Sequence, residues 1–299
     1  MSATATRQTI QLPIDHGVVG LRGLSPERSR FELEYALERG STANSVLFEA
    51  ADDQPAVLVH PPGAAYGDVF LPALAALVPG GDQPLLVVVG HVNPNRVALL
   101  RMLAEAYSRL ELIASNAGAK LLQELWSLRK PAPPGPENAQ PPLPDLPAIR
   151  VIRHEQDLPL GFGRSLQLLP APTPRWPGGL LAFETSLGLL MSDKFFSAHL
   201  CTAVWAESNR SSTEEERRHF YDCLMAPMAR QVDALVERLE DLEIRTIAPG
   251  HGPAIEVSWR SLLSDYRRWG ERHQHASLTV LLLFASAYGN TAATPDALA

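Results

Sequence analysis

Residues 87–100 read VVVGHVNPNRVALL. Val87–Val89 close an apolar run that begins at Leu85, of the kind that forms a strand buried on both faces. Helical spacing follows over Val97–Leu110. His91 therefore stands at the mouth of a buried strand, with Asn93, Asn95 and Arg96 two, four and five residues further on. Polar side chains at that spacing behind a strand-end histidine are laid out like a metal site. The side chains themselves do not suit one. Asparagine is a weak neutral oxygen donor, and arginine does not give up its proton to become a ligand. The stretch keeps the frame of a metal site and replaces the ligands.

Strands and helices alternate around it. Ser45–Ala50, Ala56–His60 and Leu112–Ala114 read as strands, and Ala119–Leu128 as a helix. Pro131–Pro147, PAPPGPENAQPPLPDLP, cannot hold regular structure and is expected to be a loop. Further strands are expected near Ile149–Arg153, Leu166–Leu169, Leu180–Phe183, Leu187–Met191 and Ile244–Ala248. Thr213–Leu239 reads as one long helix, capped by Ser212 or Thr213, with Glu214–Glu216 at its positive end. Glu256–Arg272 reads as another helix, and Leu278–Ala285 as a last strand. Two β-rich halves, each with helices, predict an α/β fold built as an αββα sandwich, with a second domain beginning near residue 278.

Composition narrows the function. A chain of 299 residues with 45% hydrophobic residues can bury a sizeable core. Its net charge of −7, with Lys and Arg dispersed, argues against a nucleic-acid partner. Its longest apolar stretches are too short to cross a bilayer, and residues 1–12 lack the apolar core of a secretory signal. Two cysteines, Cys201 and Cys223, fit a reducing compartment, so a cytoplasmic location is expected.

SAYGNT, Ser286–Thr291, follows the apolar run LTVLLLFA. Small and hydroxyl residues in a strand-to-helix turn present N–H groups and hydroxyls to a phosphate. The stretch resembles the flavin-phosphate loop of flavodoxins, with Ser286, Tyr288, Gly289, Asn290 and Thr291 as the cofactor-binding residues. A metallo-β-lactamase-like αββα domain followed directly by flavodoxin is the layout of flavodiiron proteins. The chain resembles that family, and its cyanobacterial diflavin flavoprotein branch in particular, at ERGSTANSVLF (Glu38–Phe48), VVGHVNPNRV (Val88–Val97), PAPTPRWPGG (Pro170–Gly179), MSDKFFSAH (Met191–His199) and IAPGHGP (Ile247–Pro253). The resemblance implies a metallo-β-lactamase-like domain over residues 1–275 and, over 278–299, only the start of a flavodoxin-like domain.

The family's metal ligands carry over one by one. In the first cluster His91 is kept, while Asn93, Asn95 and Arg96 stand where the family has Glu, Asp and His. Arg175 replaces a further histidine, before Trp176 and Pro177. Asp193 matches the bridging aspartate and His251 the last histidine. The exchange turns the charge at these positions from negative to positive. At contact distance and an effective dielectric near 20, each such swap costs a bound cation on the order of 4 kcal/mol. Neither iron keeps more than one ligand of its own. No metal is expected at the remnant positions His91, Asn93, Asn95, Arg96, Arg175, Asp193 and His251.

Asp193 is expected to pair with Arg96 or Arg175, and the two arginines facing one pocket would suit a small anion. His199, His219, His273 and His275 match no ligand pattern and are expected on surfaces or helix faces. Trp176 is expected to serve packing. Family members reduce oxygen with electrons from NAD(P)H or ferredoxin passed through FMN, and the cyanobacterial branch does so in photoprotection. The resemblance therefore implies a ligand-poor subunit of such an oxidoreductase, inactive alone. It would form a homodimer or a hetero-oligomer with a ligand-complete family member. With only the phosphate loop of the second domain present, FMN is not expected to be retained by this chain. The alternative is a non-catalytic assembly or regulatory module with an anion in the remnant pocket. A mononuclear zinc hydrolase would need at least three well-placed ligands and is the weakest reading.

Overall fold

The computed structural model describes residues 7–31, 35–128 and 142–274. Strands β1 (Gln8–Asp15), β2 (Val18–Ser25), the short ribbon β3 (Arg30–Phe31) and β4 (Tyr35–Ala36), β5 (Ser41–Phe48) and β6 (Ala56–Val59) come first. Helix α1 (Gly67–Ala75), β7 (Leu85–Val88), α2 (Pro94–Ala106), β8 (Leu110–Ser115), α3 (Asn116–Trp126) and β9 (Ala148–Ile152) complete the first half. The second half holds β10 (Gln156–Pro159), β11 (Ser165–Pro170), β12 (Leu180–Glu184), β13 (Leu189–Asp193), α4 (Glu214–Phe220), α5 (Ala229–Glu240), β14 (Thr246–Pro249) and α6 (Trp259–Gln274).

One sheet runs β1-β2-β5-β6-β7-β8-β9 and the other β10-β11-β12-β13-β14. The first is antiparallel up to β6 and parallel from β6 to β9. In the second only the β13–β14 pair is parallel. The period-2 alternation of buried residues makes the layers. In β6, Val57 and Val59 face the core between the sheets, whereas Ala56 and Leu58 join Phe70, Leu103 and Leu122 of the helices outside. In β12, Leu180 and Ala182 face inward, and Leu181 and Phe183 pack with Val232 and Val236 of α5 and Leu262 of α6. Both sheets are thus apolar on both faces, and the order of layers is αββα, as expected.

Some local expectations give way. The hairpin β1–β2 carries no strong apolar run and was not anticipated; β1 is a half-exposed edge strand and holds Pro13, which an edge tolerates. Helix α1 and strand β10 were also not anticipated. The single helix expected over Thr213–Leu239 is broken into α4, a wide turn over Tyr221–Met225, a tight turn over Ala226–Met228 and α5. Pro227 has no N–H for an i→i−4 bond, so the helix must reset there. Neither Ser212 nor Thr213 caps α4 through its side chain. The Thr213 hydroxyl donates instead to buried Glu207 at 2.7 Å. The strand expected at Leu278–Ala285, the second domain at 278–299 and most of the Pro-rich loop lie outside the described residues; Pro142–Pro147, its described part, has no regular structure.

Candidate functional site

β6, β7, β13 and β14 end at the same side of the sandwich, and the segments that leave them meet around a cavity of about 230 Å³. His60 follows β6, His91 follows β7, Asp193 ends β13 and His251 follows β14. Gly90 makes the approach possible. A β-carbon there would sit 2.7 Å from His60 Cδ2 and 2.8 Å from Asp193 Cγ. Gly63 likewise leaves room for the Asn95 amide, 2.4 Å from where its β-carbon would lie.

His91 is 2% exposed, and its Nδ1 donates to Asp193 Oδ2 at 2.6 Å. The carboxylate fixes the tautomer, so Nε2 is an acceptor, and it receives the Asn93 Nδ2 amide at 3.3 Å. Burial, helped by the Arg96 charge, pushes the His91 pKa down to about 3, so the ring is neutral at pH 7. Burial pushes the Asp193 carboxyl up, but the His91 ring, its hydrogen bond and the Arg96 guanidinium outweigh that and hold it well below the usual range. Asn93 serves twice, since its Oδ1 also accepts from the Arg96 amide at 2.8 Å as the N-cap of α2. One asparagine thus gives the helix a cap and the histidine a hydrogen-bond partner.

The second histidine of the cavity expected from the sequence is closed off in the same manner. His251 Nδ1 donates to the Thr42 carbonyl at 2.6 Å, and its Nε2 accepts from the Lys194 ammonium at 3.2 Å. Loss of hydration and then the Lys194 charge hold its pKa well below the ordinary value. Sequence reasoning missed Lys194. A regular strand would send it to the side opposite Asp193. Asp193 has φ 49°, in the left-handed region, and both side chains line the cavity. Also missed was His60, with φ 56°, 4% exposed, its Nε2 donating to the Leu180 carbonyl at 2.9 Å. Burial pushes its pKa down to about 4. Its place at the end of the strand next to that of His91 was the available signal.

The structure brings together His91, Asn93, Asn95, Arg96, Asp193 and His251 at this cavity, but not Arg175. Arg175 is exposed, with its guanidinium 5.7 Å from the centre of the Trp176 ring, and does not line the cavity. The second cation expected beside Asp193 is supplied differently, by Lys194, with Arg28 on the same cavity wall. Arg96 Nη2 lies 3.7 Å from Asp193 Oδ1, so the expected pairing with Arg96 forms, though the close partner of the carboxylate is His91. Trp176 is buried in the outer core, as expected. His219 is exposed on α4. His199 is not a surface residue; it is 2% exposed, hydrogen-bonded through Nδ1 to Ser41 Oγ at 2.8 Å, with its ring tilted 40° against that of His251 at 4.5 Å. His275 and the loop Ser286, Tyr288, Gly289, Asn290, Thr291 lie outside the described residues, as does the side chain of His273.

Arg96 itself is 8% exposed, and among the described residues its Nε and Nη1 have no hydrogen-bond partner. Leaving such a buried donor unmet costs roughly 1–3 kcal/mol. The donor set does not suit the two irons implied by the resemblance. Both imidazoles present nitrogens already engaged on each side, one carboxylate remains, and a guanidinium and an ammonium occupy the wall. Among the described residues no three His, Cys, Asp or Glu side chains converge as metal ligands. No described helix is long and apolar enough to cross a membrane.

No protein-family profile matches the chain. It is 38% identical, over all of its 299 residues, to diflavin flavoprotein A 6 of Nostoc sp., of which it covers 49%. The chain thus spans about half the length of the curated relatives it matches. Among solved structures it is similar to a fragment, residues 1–254, of diflavin flavoprotein A 5 from Nostoc sp., with TM-score 0.78 and 33% identity over 90% of this chain and 98% of that one. It is also similar to the metal-soaked Flv1 flavodiiron core from Synechocystis sp., with TM-score 0.82 and 33% identity over 96% of this chain and 67% of that one.

Proposed function

This chain belongs to the flavodiiron protein family, in its diflavin flavoprotein branch, and on that premise we propose that it is the metal-free core of an oxidoreductase subunit. One observation carries the reading. The imidazole nitrogens of His91 and His251 that remain for a metal accept hydrogen bonds from Asn93 and Lys194 instead. An amide and an ammonium stand in for cations, and Arg96 adds a further positive charge against the one carboxylate. Such a pocket repels the two further cations of a diiron centre at short range, where each contact is worth about 4 kcal/mol at an effective dielectric near 20.

Oxygen reduction therefore falls to another site. In this reading a ligand-complete family member supplies it, and the present subunit assembles with it as a hetero-oligomer. Electrons from NAD(P)H or ferredoxin reach that site through FMN in flavodoxin-like domains, with photoprotection as the purpose. Elemental analysis of the purified chain after incubation with ferrous iron tests the first step, with far less than one iron per chain expected. Two irons per chain retained through dialysis against a mild chelator refute it. Oxygen uptake with NAD(P)H by the subunit mixed with a ligand-complete member, against each alone, tests the second.

A further inference from the structure

The cavity at the ends of β6, β7, β13 and β14 has a feature that metal loss does not account for. Emptying a metal site of its cation calls for removing negative charge, and one cation beside Asp193 would suffice. Here Arg28, Arg96 and Lys194 line the space with Asp193 as the carboxylate, so three cations stand against one anion, a net charge of +2 from these four side chains. Arg96 turns only Nη2 towards Asp193, at 3.7 Å, and its buried Nε and Nη1 meet no partner among the described residues. It sits in the first turn of the thirteen-residue helix α2, whose positive end adds to the field. At about 30 Å³ per water, a space of this size holds roughly eight waters, much more than a single halide fills.

We propose that this cavity binds a small doubly charged oxyanion of the phosphate or sulfate type, held by Arg96 with Lys194 and Arg28 around it. The Arg96 guanidinium supplies charge-assisted hydrogen bonds to the oxyanion by turning towards it the Nε and Nη1 that meet no acceptor among the described residues. The Asn95 amide lines the same space as a neutral donor. The oxyanion balances the net charge that the protein leaves, and Asp193 is kept from repelling it by His91 and by Arg96 Nη2 on its two oxygens. The proposal rests on the metal-free reading above.

The test is calorimetric titration of the purified full chain, exchanged into a zwitterionic buffer, with inorganic phosphate, sulfate and chloride at matched ionic strength. Saturable binding of the dianions is expected. Because Ser286–Thr291 is itself a candidate phosphate loop, the variants carry the assignment. Arg96→Gln is expected to weaken dianion binding roughly 10- to 100-fold, the loss of a charge-assisted hydrogen bond, and Arg175→Gln, outside the cavity, to leave it unchanged. Lys194→Gln serves as a second cavity variant and is expected to weaken binding in the same direction if Arg96→Gln does not fold. No saturable dianion binding, equal affinity in the cavity variants, or chloride binding as tight as phosphate overturns the proposal. Iron analysis of the same samples separates the two readings. Stoichiometric iron refutes the metal-free core, whereas iron-free protein without dianion binding refutes this site alone.

Discussion

Replacing Asp193 by asparagine keeps the shape of the side chain and removes its charge. Asparagine tolerates a positive φ, so the 49° backbone is not the source of any loss. At 3.7 Å and an effective dielectric near 20, the carboxylate and Arg96 attract by about 4–5 kcal/mol. The charge-assisted bond from His91 adds about 1.5–3 kcal/mol. Against these stands the cost of keeping the carboxylate out of water, several kcal/mol, which the variant no longer bears. The net loss expected is about 3 kcal/mol, at the low end for removing one partner of a buried pair because the cavity admits water. For a domain of this size that is a fall in Tm of about 6–12 °C. The assay is thermal unfolding by circular dichroism at pH 7 and low salt. The Asp193 pKa is lowered by folding, so its stabilisation is present above the unfolded value of 3.8 and is lost as pH falls through the folded value. The gap between wild type and variant should therefore close in strong acid. An unchanged Tm at pH 7 would show that Arg96 and His91 draw no stability from this carboxylate, and the electrostatic account of the pocket would fail.

Three further outcomes are expected. His60 and His91 have folded pKa values of about 4 and about 3, below the usual 6.5, so their stabilisation is complete above pH 6.5 and lost as pH falls towards those values, by roughly 1.4 kcal/mol per pH unit each; urea unfolding at pH 7, 6 and 5 measures it, and a flat stability counts against neutral rings. Glu207 and Arg217 form a buried ion pair at 2.8 Å that also holds Thr213 and Ser258, and Glu207→Gln should cost about 3–5 kcal/mol in denaturant unfolding, a loss under 1 kcal/mol counting against a tight pair. Gly90→Ala should lower stability by about 1–3 kcal/mol through the clash with His60 and Asp193, and a fully stable variant would show that the strand ends are farther apart than described.

Sequence alone determined the layers of this protein. The runs Leu85–Val89 and Leu180–Phe183 call for cover on both faces, the two β-rich halves with their helices supply it as a helix layer and a second sheet, and period-2 burial then assigns each residue to its side. It also placed His91, Asn93, Asn95 and Arg96 together at one strand end, because they are neighbours along the chain, and the family resemblance marked them as remnant ligand positions. What it left open was which cations line the cavity. Arg175 was expected there from the family resemblance, but its guanidinium lies over Trp176 on the outside. Lys194 belongs to no spacing pattern and reaches the cavity only because the chain turns through a positive φ at Asp193. His60 is thirty-one residues from His91 and joins it because parallel β6 and β7 end side by side. The break at Pro227 follows from the missing N–H of that residue alone, whereas the diversion of the Thr213 hydroxyl to Glu207 depends on how the fold buries that carboxylate. Periodicity reports which face of an element is apolar; the direction in which a long cationic side chain leaves a strand end depends on backbone turns and neighbours that only the folded chain brings together.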